Sequence, residues 1–349
     1  MRKYIAFTEI PRITEEVFLS REFSVTTVYV NSIDDFLIKQ QRFESNITII
    51  VSTNPMYWKT VLTKFKRNSI VFILIGNETY DPAVFNSLNG YKSIKHVFVY
   101  NLPTLIKYRN ILGSVFGCIN DDGFKKTLNS GSIYRDARIS YSLKNKFKEI
   151  SIKYSASPFP QGYSNNFANQ ITNLAEINHN TSLTTELSSE LILAKRQNIY
   201  DFAFIGQSTN RRREIFLRNA TRFPKSVVIY NQGFKGTYED TSSTYISQLL
   251  STRFVLVPPG FYNNFNHRYT ESLICHTLPV VLANNSLDPS ENTNWTNNLT
   301  FLQKYSAKEL MIYLSKLDNQ SYKKIYDLAK FNDFKQISAA RKLFNEVLG

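Results

Sequence analysis

The chain runs through one pattern twice: a short, nearly unbroken apolar run, a polar turn, then a stretch with helical spacing. YIAFTEI (Tyr4–Ile10), TTVYV (Thr26–Val30), ITIIVS (Ile47–Ser52), IVFILIG (Ile70–Gly76) and HVFVY (His96–Tyr100) are the runs of the first third. Several lack the polar alternation of a strand with one wet face, which predicts parallel strands covered on both sides. DDFLIKQQRF and MYWKTVLTKFKRN lie between them with helical spacing. The pattern resumes with YDFAFIG (Tyr200–Gly206), SVVIYN (Ser226–Asn231), FVLVPPG (Phe254–Gly260) and LPVVLAN (Leu278–Asn284), again separated by helical segments. Such alternation predicts an α/β fold with parallel sheets.

Between the two series, residues 151–167 concentrate Ser, Pro, Gly and Asn and read as a linker or a long loop. We therefore expect a Rossmann-like domain over 1–160, a second over 161–330, and a closing helix over 331–349 that packs back on the first. The chain is long enough for two such domains, and its 42% hydrophobic and 14% aromatic residues suffice for real cores.

A formal net charge of +14 asks for an anionic partner or leaves a generally basic surface. No zinc-finger, RRM or K-homology signature accompanies it, which argues against nucleic acid. The two cysteines, Cys118 and Cys275, form no C-x-x-C pair, so neither a disulfide framework nor a zinc site is expected. The N-terminus has no long apolar stretch, and no window is apolar enough to span a bilayer. The expectation is a soluble, cytoplasmic protein of bacterial or viral type, with peripheral membrane contact open to it through its basic surface.

Three places in the second half join a strand to a helix. In FAFIGQSTNRRREIF, Gly206 ends a strand and Arg211, Arg212 and Arg213 fill the first turn of a helix. Three cations oppose the helix dipole there unless an anion sits at the N-terminus; the plainer reading is an exposed basic cluster. In VVIYNQGF, Tyr230 and Asn231 end a strand, either to meet a planar base or as ordinary strand-end residues. In RFVLVPPGFYNNFNHRYTESL, the strand stops at Pro258-Pro259-Gly260 and a loop carries Asn264. His267 and Arg268 then begin a helix with Glu271 on the same face. An arginine fork suits a diphosphate, and a carboxylate one turn on suits ribose hydroxyls. The alternative is a surface ion pair worth about 0.2–0.5 kcal/mol.

The stretch RFVLVPPG…NHRYTESLICHTLPVVLAN resembles the signature of the exostosin-like glycosyltransferases, glycosyltransferase family 47. FIGQSTNRRREI and NTNWTNNLTFLQKYSAKELMIYL resemble the segments before and after it, so the likeness covers about residues 200–318. His276-Thr277 replaces the family's small Gly-Cys pair, and the membrane stem of eukaryotic members is missing. The resemblance implies a GT-B fold, two Rossmann-like domains facing across a cleft. The second domain would hold a UDP-sugar such as UDP-xylose, UDP-galactose, UDP-glucuronic acid or UDP-N-acetylglucosamine, for inverting transfer to a glycan hydroxyl. The donor residues would be Gly206, Arg211, Arg212, Arg213, Tyr230, Asn231, Pro259, Gly260, Asn264, His267, Arg268 and Glu271. No cofactor is implied and no metal is expected; no D-x-D triplet occurs. The general base would come from the first half, with Glu9 preferred and Asp34 and Asp35 as rivals. RYTESL also resembles the Tyr-x-Thr-Glu-Lys motif of GDP-fucose enzymes, but Ser272 stands where the lysine would be. A basic nucleic-acid-binding protein and an inactive sugar-binding relative are the readings from other classes.

Overall fold

The structure, a computed structural model, describes residues 3–43, 46–75, 86–100, 153–208, 211–223, 225–232, 242–257, 267–282, 302–304 and 307–349. They divide into two compact units. Described residues up to 100, with 153–165 and 336–349, make the first unit; those from 166 to 335 make the second. Each is a parallel sheet with helices packed on it, the Rossmann-like α/β architecture expected from the sequence.

The first unit contains β1 (Tyr4–Thr8), α1 (Glu16–Phe23), β2 (Val25–Tyr29), α2 (Ile33–Gln40), β3 (Thr48–Ser52), α3 (Lys59–Lys64), β4 (Ile70–Leu74), β5 (Ile94–Val99) and β6 (Ala156–Pro158). The strand order is β2-β1-β3-β4-β5-β6, and every pairing is parallel. All of β3 and β4 is buried, which is why their sequences show no alternation. Phe7, Ile50, Phe72, Leu74 and Val97 share one core with Phe36 of α2 and Trp58 before α3. Phe98 belongs to the opposite face, where its ring meets Phe159 at 5.6 Å and Phe344 at 5.5 Å.

Two details differ from the sequence reading. A three-residue strand, β6, lies inside the segment read as a linker. Among the described residues it is the edge of its sheet, a place where proline is tolerated. In addition, Ser52, Asn54 and Pro55 convert the end of β3 into a short 3-10 turn over Pro55–Trp58. The Asn54 side chain accepts from the Met56 N–H, and proline takes the first turn, where its missing donor is no loss.

The second unit holds most of α4 (Asn165–Leu174), then α5 (Glu186–Leu193), β7 (Tyr200–Ser208), α6 (Arg211–Ala220), β8 (Ser226–Gln232), α7 (Ser242–Ser251), β9 (Thr252–Val257), α8 (His267–Ile274), β10 (Leu278–Leu282), β11 (Leu302–Lys304) and α9 (Ala307–Ser315). Its order is β11-β10-β9-β7-β8, also wholly parallel. Renumbered from its first strand this is 2-1-3-4-5, the arrangement of the first five strands of the first unit. The last helix, α10 (Asn319–Leu348), starts in the second unit and ends in the first. Tyr322, Tyr326 and Asp333 belong to its first part; Ile337, Arg341 and Phe344 belong to its last.

That last part is fastened by charge as well as by rings. Glu22 of α1 is fully buried, accepts from the Tyr163 hydroxyl at 2.9 Å, and pairs with the Arg341 guanidinium at 2.5 Å. Removing one partner of a buried pair strands the other, so this contact specifies where the helix docks.

Candidate functional site

Sheets with this order change direction between their first and third strands, and ligands bind outside the carboxyl ends of the strands at that switch. In the second unit the switch lies between β7 and β9. β7 ends with Ile205, Gly206 and Ser208, and α8 is the helix that follows β9.

Arg268 sits in the first turn of α8 and lies back over the end of β7. Its Nε donates to the Ile205 carbonyl at 3.1 Å, and its guanidinium carbon is 5.2 Å from the centre of the Phe204 ring. Gly206 makes this possible. A Cβ there would overlap the Arg268 guanidinium and meet Phe204 Cζ at 2.8 Å. The glycine is thus required for close approach of a side chain, not for an unusual φ.

Glu271, one turn on, is only 3% exposed. The Tyr245 hydroxyl of α7 donates to its Oε2 at 2.7 Å. Burial, then the Glu271 charge, push the Tyr245 phenol well above its ordinary pKa, while Arg268 pulls it down. The phenol therefore stays a donor, and the carboxylate gains a buried neutral partner. Tyr245 carried no signal in the sequence, because it lies on a different helix from Glu271.

The rest of α8 is just as enclosed, with Tyr269, Ser272, Leu273 and Ile274 buried. Thr270 donates to Asp333 of α10 at 3.4 Å. Among the described residues Asp333 Oδ2 is buried without a hydrogen-bond partner, and burial pushes this carboxyl up to about 7. At the other end of α8, His276 takes a left-handed backbone conformation, φ 58°. Glycine is the usual residue there. His276 is held instead by contacts of its own: its Nε2 lies 2.9 Å from the Ser189 carbonyl, and its ring is stacked on Tyr326 at 5.7 Å. The Arg196 guanidinium donates to the carbonyls of Cys275 and His276, and to that of Thr252 at 2.9 Å. These contacts show how the His276-Thr277 pair is accommodated.

Arg211, Arg212 and Arg213 do open a helix, α6, and Tyr230 and Asn231 do end a strand; the backbone register sets Tyr230 beside Gly206 and Asn231 beside Gln207. The side chains of these five lie outside what the structure describes, as do Pro259, Gly260 and Asn264 entirely. His267 is the first residue of α8 and is partly buried.

In the first unit the switch lies between β1 and β3, and Glu9 directly follows β1. Its carboxylate bridges the switch. Oε1 accepts from the Ser52 hydroxyl at 2.6 Å and the Thr53 N–H at 3.2 Å, and Oε2 accepts from Trp58 Nε1 at 2.9 Å. Three neutral donors fix its orientation without cancelling its charge. The two rivals are placed differently. Asp35 is bound up at the start of α2: Lys39 holds it at 2.8 Å, the Asn31 N–H at 3.1 Å, and these keep its carboxyl below the usual range. Asp34 is exposed beside it in the first turn.

Among the described residues, no group of three or more His, Cys, Asp or Glu could hold a metal ion. No described helix is long and apolar enough to cross a membrane.

No protein-family model matches the chain, and no curated protein matches it by sequence. Solved structures are similar over nearly its whole length, among them the following three. One is Anabaena Alr3699/HepE in complex with UDP, 8% identical, covering 99% of both chains with a TM-score of 0.49. An α1,3-fucosyltransferase is 12% identical, covering 99% of this chain and 90% of its own, with a TM-score of 0.39. A glycosyltransferase from Rickettsia africae ESF-5 is 12% identical, covering 100% of this chain and 99% of its own, with a TM-score of 0.34.

Proposed function

We propose that the protein is a glycosyltransferase that takes a sugar from a nucleotide diphosphate sugar, most simply a UDP-sugar, and places it on a glycan hydroxyl. The observation that carries this reading is Arg268. It is anchored through Nε to the end of β7 and laid over the bare backbone of Gly206, at the switch where such sheets bind ligands. The Arg268 guanidinium, held in place through Nε, is the group we read as meeting the diphosphate. Glu271, oriented by Tyr245, is the acceptor for ribose hydroxyls. Arg211, Arg212 and Arg213 in the first turn of α6 add charge beside the free N–H groups of that helix.

The transfer is read as a single displacement with inversion. Glu9 takes the proton from the acceptor hydroxyl, the acceptor oxygen bonds to the anomeric carbon, and the bond from that carbon to the diphosphate oxygen breaks. The leaving diphosphate gains negative charge, which the arginines and the helix terminus stabilise without a divalent cation. Membership of the exostosin-like family and a cytoplasmic site of action belong to the same reading.

Thermal unfolding with UDP, GDP, CMP and several UDP-sugars, with and without EDTA, tests it. A ligand that binds only the folded state raises the midpoint by mass action. The expected result is a UDP-selective shift that EDTA leaves intact and Arg268→Ala removes. A shift with GDP alone would transfer the reading to a GDP-fucose donor. No shift with any nucleotide from a folded sample would remove the donor site.

A further inference from the structure

The first unit has a second polar feature, at the opposite end of its strands from Glu9. A cavity of about 380 Å³ opens where β1 and β3 begin and α2 ends. Lys3, Arg42, Tyr4, Phe7, Phe43 and Thr48 line it, and among the described residues no carboxylate does. Its volume lies in the range of small-molecule sites, about 300–1,000 Å³.

Cations on a surface are ordinarily just solvated, and two of them alone would mean nothing. Here they border a concavity with an aromatic wall. Phe43 leaves 36% of its surface open while its ring sits edge-on to Phe7 at 5.9 Å. The Tyr4 ring is fixed from behind, edge-on to Phe344 at 5.7 Å. Neither Lys3 nor Arg42 has an ion-pair or side-chain hydrogen-bond partner among the described residues, although acidic side chains occur elsewhere in the unit. An exposed ring face beside two cations that no described carboxylate pairs complements one kind of molecule: an anionic head on a body with a flat or apolar side.

We propose that this cavity binds a small organic anion of that chemistry, a phosphorylated sugar or an aromatic carboxylate. The head pairs with Arg42 and Lys3, and the apolar face lies on Phe43 and Tyr4. Tyr4 and Thr48 begin the strands that Thr8 and Ser52 end. At about 3.3 Å per residue, the ligand stays more than 10 Å from the Glu9 end. It is therefore an accessory site, independent of the donor reading.

Calorimetric titration of the full chain distinguishes the sources, using glucose 1-phosphate, 4-hydroxybenzoate, uncharged glucose and inorganic phosphate as probes. Every titration is repeated in Arg268→Ala, so that binding at the candidate donor site is recognised. One of the two organic anions is expected to bind with a Kd below about 1 mM in both backgrounds. Arg42→Gln and Phe43→Ala are each expected to weaken it about tenfold, with the thermal midpoint of each variant measured alongside because the Phe43 ring also packs on Phe7. Which anion binds identifies the source. Binding of inorganic phosphate as tight as either organic anion would overturn the proposal, as would binding that survives both substitutions, or none at all.

Discussion

The two sheets share a strand order and therefore a switch point, yet they furnish it differently. In the first unit the switch carries one carboxylate, Glu9, held open by three neutral donors. In the second it carries a cation, Arg268, pressed onto a glycine, with a buried carboxylate one turn behind. Topology locates a crevice, and side chains decide what it does. An oriented carboxylate suits proton removal; a fixed arginine suits an anion that needs no reorganisation when charge develops.

The sharpest way to break that contrast is Glu9→Gln. An amide cannot take a proton, so turnover should fall by about 10²–10⁴-fold while UDP still stabilises the fold. The amide would also set its own N–H against Trp58 Nε1, so the urea midpoint is measured alongside. Turnover that survives with an unchanged midpoint would remove Glu9 as the base and return attention to Asp34.

A second contrast concerns how each unit treats a buried carboxylate, and both cases involve α10. Glu22 in the first unit is paired with Arg341 and Tyr163. Asp333 in the second has one long hydrogen bond. Arg341→Met should therefore cost about 3 kcal/mol, the lower end for breaking a buried pair, since the Arg341 side chain is 31% exposed. Urea unfolding followed by fluorescence in a Trp295→Phe background, which leaves Trp58, buried in the first unit, as the reporter, reads it. A cost near zero would mean that the aromatic contacts of Phe344 alone dock the helix.

Asp333→Asn should act in the opposite direction. Its carboxyl is raised to about 7 in the folded protein by burial, against 3.8 as the ordinary value. The folded state thus holds a proton that the unfolded state has lost, and stability falls as pH rises from about 4 to about 7. The asparagine keeps a partner for Thr270 and removes that slope. The variant should gain about 2 kcal/mol over the parent at pH 8, and the gain should shrink by pH 5. His96 in the first unit and His276 in the second, both lowered to about 4 by burial, give the reverse slope, with stability lost as pH falls from about 6.5 to 4. Comparing parent and variant midpoints at each pH isolates Asp333. A gain that does not vary with pH would show that the carboxyl is ionised throughout.

These contrasts were unequally legible in the sequence. The strands were, because β3 and β4 are covered on both faces and their apolar runs have no other use. The Arg268–Glu271 spacing was, because the partners share one helix. Gly206 reads in the sequence as a strand-ending glycine, but its reason, the overlying guanidinium, depends on a side chain 62 positions along the chain. Asp333 reads as one more polar residue in a polar helix, since nothing local says that its surroundings are dry. β6 and β11 have three residues each, too few to show a period, and they lie at the sheet edges. Arg196 and Tyr245 act on segments 79 and 26 residues distant, and no pattern within one element points to either.

Tyr245 supplies the smallest and most discriminating effect. Tyr245→Phe keeps the ring and deletes the hydroxyl that donates to Glu271 Oε2. Loss of a part-buried hydrogen bond to a charged group costs about 1.5 kcal/mol of stability, the lower end for such bonds. A purely structural role for Glu271 predicts that loss and nothing more. If the carboxylate also receives ribose hydroxyls, its altered orientation should weaken UDP about fivefold and 2′-deoxy-UDP hardly at all, so the preference for the ribonucleotide narrows. Equal weakening of both nucleotides would leave Glu271 as packing and place recognition on Arg268 alone. The second unit's switch would then resemble the first, with one charged group doing the chemistry and the remainder holding it in place.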